Sequence, residues 1–242
     1  YAATKQTLDN LKASYAALEK DSNDALEANI NKNRQLLAEL EAKQKALAAE
    51  QDRLNKLKKD LEASSTRLAE LEKMMADKEA AMKKLKETLS KSLKAFEGKG
   101  LTVTERDGKV YVSMENKLLF ESGSWTVGSE GKKAVDLVGK VLGDNPDISV
   151  LIEGHTDNDK ITGTIGGGVE NNWDLSTKRA TAIVNILSAN AKVKKENLTA
   201  AGRGEYAPLM SNETAEGKAK NRRIEIILTP KLDEISKMLN EL

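Results

Sequence analysis

Two stretches hold most of the residues able to do chemistry: Ile152-Glu153-Gly154-His155-Thr156-Asp157-Asn158, and Asn172-Trp173-Asp174-Leu175-Ser176-Thr177-Lys178-Arg179-Ala180. The first reads as a buried strand, Ile148 to Ile152, running out into a polar turn. The second opens with turn-formers and then takes up a helical pattern through Ala182, Ile183, Ile186 and Leu187. A helix N-terminus facing a strand end puts Asp157 and Arg179 on one rim, placed to hold opposite ends of a zwitterion. A carboxylate takes an ammonium, and the guanidinium fork takes a carboxylate through paired N–H groups, a geometry that lysine at position 179 would lose. Backbone N–H groups near Asp174 and Leu175 add donors for an anion. Taken alone, an Asp at a strand end is most often a turn or cap residue. General base, metal ligand and ion-pair partner remain open for it.

Other chemistry finds less support. His155 is the only histidine, and one His without further ligands makes a poor metal site, so a structural role beside the strand end is expected. Asp157-Asn158-Asp159 opens like a calcium loop but has Thr162 and Gly168 where that loop needs glycine and glutamate. Gly166-Gly167-Gly168 lacks the Lys-Ser/Thr of a phosphate loop. Glu153 and Asp157 form a conceivable hydrolytic carboxylate pair, but four residues apart on a strand-to-turn segment they need not converge. Trp125 and Trp173 have faces suited to sugars; with Trp 2, Tyr 4 and Phe 2 in the chain, packing is the expected use.

The elements that must position these groups follow from glycine and proline. All 16 Gly and all 3 Pro fall at or after Gly98. Residues 1–97, rich in Ala, Leu, Lys and Glu, are therefore expected to be helical. Leu40, Leu47, Leu54, Leu61, Leu68, Met75, Met82, Leu89 and Phe96 recur every seven residues, the signature of a left-handed coiled-coil seam. The companion positions are mixed: Leu57, Leu71 and Leu85 alternate with Ser64, Lys78 and Ser92. Tyr15 to Leu26 is a four-residue stutter, followed by the Asn-rich segment Asn29 to Asn33. A continuous helix of this length would span roughly 140 Å. Self-association through the seam is the preferred reading over a single solvated helix or a helical hairpin.

Beyond Gly98, the pattern predicts a hairpin at Asp107-Gly108, a helix through Ala134, Leu137, Val138, Val141 and Leu142, and the strand from Ile148. After the loop 155–172 it predicts a helix from about Leu175 to Asn190 and strands Leu198 to Ala201 and Arg223 to Leu228, with helical turns between these strands. Strands alternating with helices argue for a sandwich with a parallel pair. The fold class is α+β: a long N-terminal coiled coil, 1–97, then an α/β sandwich with a βαβαβ core and a mixed sheet, 98–230. An amphipathic helix, 231–242, closes the chain with Leu232, Ile235, Met238, Leu239 and Leu242 as its apolar face.

Lys+Arg 39 against Asp+Glu 38 gives a net charge of +1, leaving no basic footprint for nucleic acid. With Cys 0, disulfides, thiolate metal sites and cysteine nucleophiles are excluded. No run approaches a membrane span, so any membrane anchor is expected upstream of Tyr1.

Gly154-His155-Thr156-Asp157-Asn158, the N-x-x-L-S-x-x-R-A pattern from Asn172, and Asn221-Arg222-Arg223-Ile224-Glu225-Ile226 together resemble the OmpA-like peptidoglycan-binding domain of Gram-negative envelope proteins. Leu118-Leu119-Phe120-Glu121-Ser122-Gly123-Ser124 and Ala201-Gly202-Arg203-Gly204-Glu205 extend the likeness, which runs from about Val110 to Pro230. The resemblance implies that Asp157 and Arg179 bind the diaminopimelate of the peptidoglycan stem peptide. It implies that Thr156, Asn158, Asn172 and Leu175 line the site with Arg222 or Arg223, and that no catalysis and no cofactor or metal is involved. It further implies a periplasmic protein attached to the outer membrane as a lipoprotein, or alternatively an inner-membrane stator subunit similar to MotB. A purely structural scaffold is the remaining reading. The spacing from Asp157 to Arg179 exceeds the family's usual one through a Gly-rich insert, 160–169, which is either a lid over the ligand or a tolerated surface loop.

Overall fold

The computed structural model describes residues 2–121, 123–162 and 165–240. The chain divides into two units, 1–68 and 69–242. A single helix, α1 (Ala2–Ser92), supplies all the described residues of the first unit and opens the second. It runs without a break through the stutter at Tyr15–Leu26 and the Asn-rich segment, as a sequence free of Gly and Pro permits.

The seven-residue seam has two fates. Leu40, Leu54, Leu68 and Met75 are 52–62% exposed, whereas Met82, Leu89 and Phe96 are buried. The same repeat that offers an apolar stripe to solvent thus ends as a piece of the globular core. The globular unit accordingly takes in residues 69–97, ahead of the Gly98 boundary read from glycine and proline. After a 3₁₀ turn at Lys94–Phe96, Gly98 and Gly100 with positive φ turn the chain into the sheet.

Five strands follow: β1 (Leu101–Arg106), β2 (Lys109–Glu115), β3 (Ile148–His155), β4 (Leu198–Gly202) and β5 (Arg223–Pro230). The helices between and after them are α2 (Asn116–Leu119), α3 (Ser129–Gly143), α4 (Asn172–Ser188), α5 (Ala215–Asn221) and α6 (Asp233–Asn240). Asp107 and Gly108, both with φ above zero, form the two-residue turn of the β1–β2 hairpin. The sheet order is β1-β2-β5-β3-β4. Only β3 and β4 pair in parallel, with α4 as their crossover, and every other pairing is antiparallel. The mixed sheet and the α+β class match the expectation. The short α2 was not anticipated, and the side chain of Met238 and all of Leu242 lie outside the described residues.

Period-two alternation gives the sheet one apolar face: Val110, Val112 and Met114 on β2, Val150 and Ile152 on β3, and Ile224, Ile226 and Leu228 on β5. Against it pack Ala134, Val135 and Val138 of α3, Ala180, Ile183 and Leu187 of α4, and Met82, Leu85 and Leu89 of α1. Each fully buried Val, Leu, Ile or Met among them contributes about 1.5–3 kcal/mol. The opposite face carries Glu153, His155, Arg223 and Glu225.

Two glycines set how closely α4 lies on the sheet. A Cβ on Gly154 would stand 2.1 Å from the Ser176 carbonyl oxygen, and one on Gly202 2.2 Å from the Thr177 Oγ1. Their absence lets the first turns of α4 rest directly on β3 and β4, which brings Arg179 to the end of β3.

Candidate functional site

The end of β3, the start of α4, α2, α5 and the loop after β3 enclose a cleft of about 660 Å³. Asp157, Arg179, Arg222, Thr156, Asn172 and Leu175 all line it. The loop is fixed to the helix by Asn172, whose Nδ2 donates to the Asp157 carbonyl at 3.3 Å, the Asp159 carbonyl at 3.0 Å and Glu205 Oε2 at 2.7 Å. Asn171 caps α4, accepting from the Trp173 and Asp174 N–H groups at 2.9 and 3.1 Å. Thr156 donates its N–H to the Gly204 carbonyl and its hydroxyl to the Asp157 carbonyl, each at 2.9 Å. Leu175 is a buried, apolar part of the lining.

Within this frame Asp157 is 6% exposed. Its Oδ2 accepts from Arg222 Nη1, and its Oδ1 accepts from the Asp159 N–H at 3.2 Å. Arg179 is 4% exposed, donates Nε to the Ser124 carbonyl at 3.0 Å, and holds its guanidinium carbon 5.3 Å from the centre of the Phe120 ring. Among the described residues Arg179 has no carboxylate in ion-pair contact, and only its Nε is hydrogen-bonded. Burial, and then repulsion from Arg222, lower its pKa to about 10, against the pull of Asp157. At neutral pH it remains a cation whose two Nη groups have no hydrogen-bond partner among the described residues.

Two residues do not join the cleft. Asn158 is exposed and absent from the lining. Arg223 turns to the opposite sheet face, where its Nε meets Glu225 Oε1 at 2.9 Å and its Nη2 the Ala207 carbonyl at 3.2 Å. Successive residues entering a strand point to opposite sides, so of the arginine pair it is Arg222 that reaches the cleft.

Other lining residues carried no role in the sequence reading. Glu115 and Lys117 contribute charge, and Phe120 a ring under Arg179. Burial pushes the Glu115 carboxyl up, but hydrogen bonds from Lys220 and Lys117 outweigh it and hold the pKa below the usual range. Lys160, Ile161 and Ile165 of the Gly-rich insert also line the cleft. Trp125 packs on the insert at Gly167, where a Cβ would stand 2.7 Å from the indole. The run Leu118 to Ser124 stands out in the sequence as one motif, yet nothing in its composition shows that its backbone carbonyl holds Arg179.

His155 lies on the far face, 3% exposed, with neither ring nitrogen hydrogen-bonded among the described residues. Burial, and then the charges of Arg223 and Arg203, lower its pKa to about 3, so it is neutral. Glu153, His155 and Glu225 each bring one possible metal-binding atom within 4.8 Å of the others, a grouping hidden in the sequence because Glu225 is remote. The Glu225 carboxylate is already held by Arg223 at 2.9 Å and Arg106 at 3.6 Å. Glu153 lines a separate cavity on this far sheet face, with His155, Arg223 and Glu225, and Asp157 lines the cleft, so the two are not a carboxylate pair.

Residues 119–222, which span the β3 motif, α4 and α5, match the OmpA family. They form an OmpA-family domain. The chain is 35% identical over 120 residues to Motility protein B of Bacillus subtilis, covering 50% of this chain and 45% of that protein. It is likewise 35% identical over 133 residues to the probable lipoprotein YiaD of Escherichia coli, covering 55% of this chain and 57% of the relative. The chain thus spans about half the length of these curated relatives. Among solved structures, the cell wall anchor of the T6SS from Pseudomonas aeruginosa superposes with a TM-score of 0.53 at 28% identity, over 59% of this chain and 97% of that one. No helix among the described residues is long and apolar enough to cross a membrane.

Proposed function

We propose that the OmpA-family domain binds peptidoglycan without cleaving it, by gripping the diaminopimelate of the stem peptide between Asp157 and Arg179. The observation that carries this reading is the Arg179 guanidinium: buried, cationic, and with both Nη groups uncommitted among the described residues beside a carboxylate. The ligand carboxylate takes the Arg179 fork; its ammonium takes Asp157, whose Oδ1 accepts one long backbone bond among the described residues. Thr156, Asn172 and Leu175 shape the site, and Arg222 is the counter-ion of Asp157. The likeness to a solved cell wall anchor supports the same reading.

In this account α1 is a spacer, self-associated through the exposed Leu40–Met75 seam, and the membrane anchor precedes Tyr1. The likeness to a lipoprotein supports attachment to the outer membrane, in the periplasm. The equal identity to Motility protein B favours a second reading, a stator-like subunit of the inner membrane. Fractionation of cells fed a labelled fatty acid separates them: label on the protein in the outer membrane supports the first, unlabelled protein in the inner membrane the second. Co-sedimentation with insoluble diaminopimelate-type peptidoglycan tests wall binding itself. Release of soluble muropeptides in that assay would contradict a non-catalytic role.

A further inference from the structure

Beside the cleft lies an exposed aromatic pair that the stem-peptide grip leaves unused. Trp173 and Tyr206 stack with ring centroids 5.2 Å apart and planes inclined by 23°, yet remain 48% and 65% exposed. Apolar rings of this size are normally hidden; a stacked pair left half in water retains outer faces for a ligand. The pair is also held in place. Trp173 follows Asn172 and Tyr206 follows Glu205, and these two neighbours are joined by the 2.7 Å hydrogen bond that closes the cleft wall. The Trp173 N–H is fixed by the Asn171 cap. Gly204, with φ +54, sits against both rings, and a Cβ there would stand 3.6 Å from Tyr206 and 3.7 Å from Trp173. The aromatic surface is therefore continuous with the cleft through Asn172.

We propose that Trp173 and Tyr206 form a saccharide-stacking subsite that receives a pyranose ring of the glycan strand bearing the stem peptide held in the cleft. The chemistry fits this ligand. The axial C–H groups on one face of a pyranose are weakly positive and meet the negative face of an aromatic ring. The ring hydroxyls need polar neighbours, and the chain supplies Glu205 beside Tyr206, its Oε2 bound to Asn172, and Arg203, whose carbonyl accepts the Tyr206 N–H at 3.3 Å. In peptidoglycan the sugar and the peptide are covalently joined, so the second contact is made at high effective concentration once the first is in place. The inference rests on the peptidoglycan reading of the Asp157–Arg179 cleft.

The test uses the full chain and two soluble probes: the free diaminopimelate-containing stem tetrapeptide, and the same tetrapeptide on its N-acetylglucosaminyl-N-acetylmuramic acid disaccharide. Calorimetric titration of the parent is expected to show the disaccharide-peptide binding about tenfold more tightly, the equivalent of one good aromatic contact. Trp173→Ala and Tyr206→Ala are each expected to bring the disaccharide-peptide toward the affinity of the free peptide while leaving the free peptide unchanged. Both side chains are largely exposed, and unchanged far-UV circular dichroism verifies the fold. Equal affinity of the parent for the two probes overturns the subsite while leaving the stem-peptide reading intact. Equal weakening of both probes by the variants also overturns it, since the pair then only supports the cleft wall. No binding of the free peptide by the parent removes the cleft reading and the subsite together.

Discussion

Asp157 is held by Arg222, 65 residues further along the chain, and not by Arg179 on the facing helix. The two ends of the proposed zwitterion clamp are therefore unequal: Asp157 is paired with Arg222, whereas Arg179 keeps both Nη groups without a partner among the described residues. A ligand ammonium has to share or displace Arg222. Arg222→Gln is expected to fold normally, because the side chain is 37% exposed. It should not weaken wall binding, since the ammonium no longer competes for Asp157 and the charge-assisted bond that Asp157 loses in the free protein, about 1.5–3 kcal/mol, is regained on the ligand. A loss as large as that from changing Arg179 would show that Arg222 itself carries the ligand carboxylate.

The closeness of α4 to the sheet is the feature least tolerant of change. Gly154→Ala places a methyl group 2.1 Å from the Ser176 carbonyl, where only a backbone shift can relieve the clash. Overpacking of this kind costs about 1–3 kcal/mol. A lowered urea midpoint is expected, with weaker wall binding in the remaining folded protein because Arg179 moves with α4. An unchanged midpoint would contradict the packing described.

Substitutions along one seam should separate association from folding. Leu54→Asp, on the exposed part, is expected to reduce the oligomer seen by sedimentation while leaving the unfolding of the globular unit untouched. Leu89→Ala, at 0% exposure, is expected to destabilise that unit by about 2–5 kcal/mol. A parent that is monomeric at all concentrations would remove the coiled coil from the account.

Acid should weaken the fold from pH 6.5 downward. His155 has a pKa of about 3 when folded, against 6.5 as its ordinary value. Between those values the unfolded chain binds the extra proton, so stability is fully present above pH 6.5 and is lost as pH falls toward 3. The depressed Glu115 pKa adds a loss of the same sign below its ordinary 4.5. Urea midpoints measured from pH 7 down to pH 5 therefore isolate His155, and a flat profile there would place a hydrogen-bond partner on the imidazole.

Much of this fold was legible because its signals are local. The absence of Gly and Pro before Gly98 gave α1, alternation gave the strands, and Asp107-Gly108 gave the hairpin. The seam illustrates the limit: a seven-residue repeat records that one face is apolar, not what covers it. Hence the repeat assigns Met82, Leu89 and Phe96 to the seam, whereas the structure buries them in the core. In the site, Asp157 and Arg179 were marked by their spacing and family likeness, and the structure brings both to one cleft. The choice between Arg222 and Arg223 required the strand register, and the Ser124 carbonyl and the Trp173–Tyr206 stack are tertiary contacts without a sequence signature.

The central claim is that Asp157 and Arg179 together read a diaminopimelate zwitterion, and the direct measurement is co-sedimentation with diaminopimelate-type peptidoglycan in the presence and absence of free diaminopimelate. The parent is expected to bind and to be competed off. Asp157→Asn and Arg179→Lys, which preserve size or charge but not the paired chemistry, should each lose about 10–100-fold in affinity, the worth of a charge-assisted contact. Parent-like binding by both variants, indifferent to free diaminopimelate, would contradict the account.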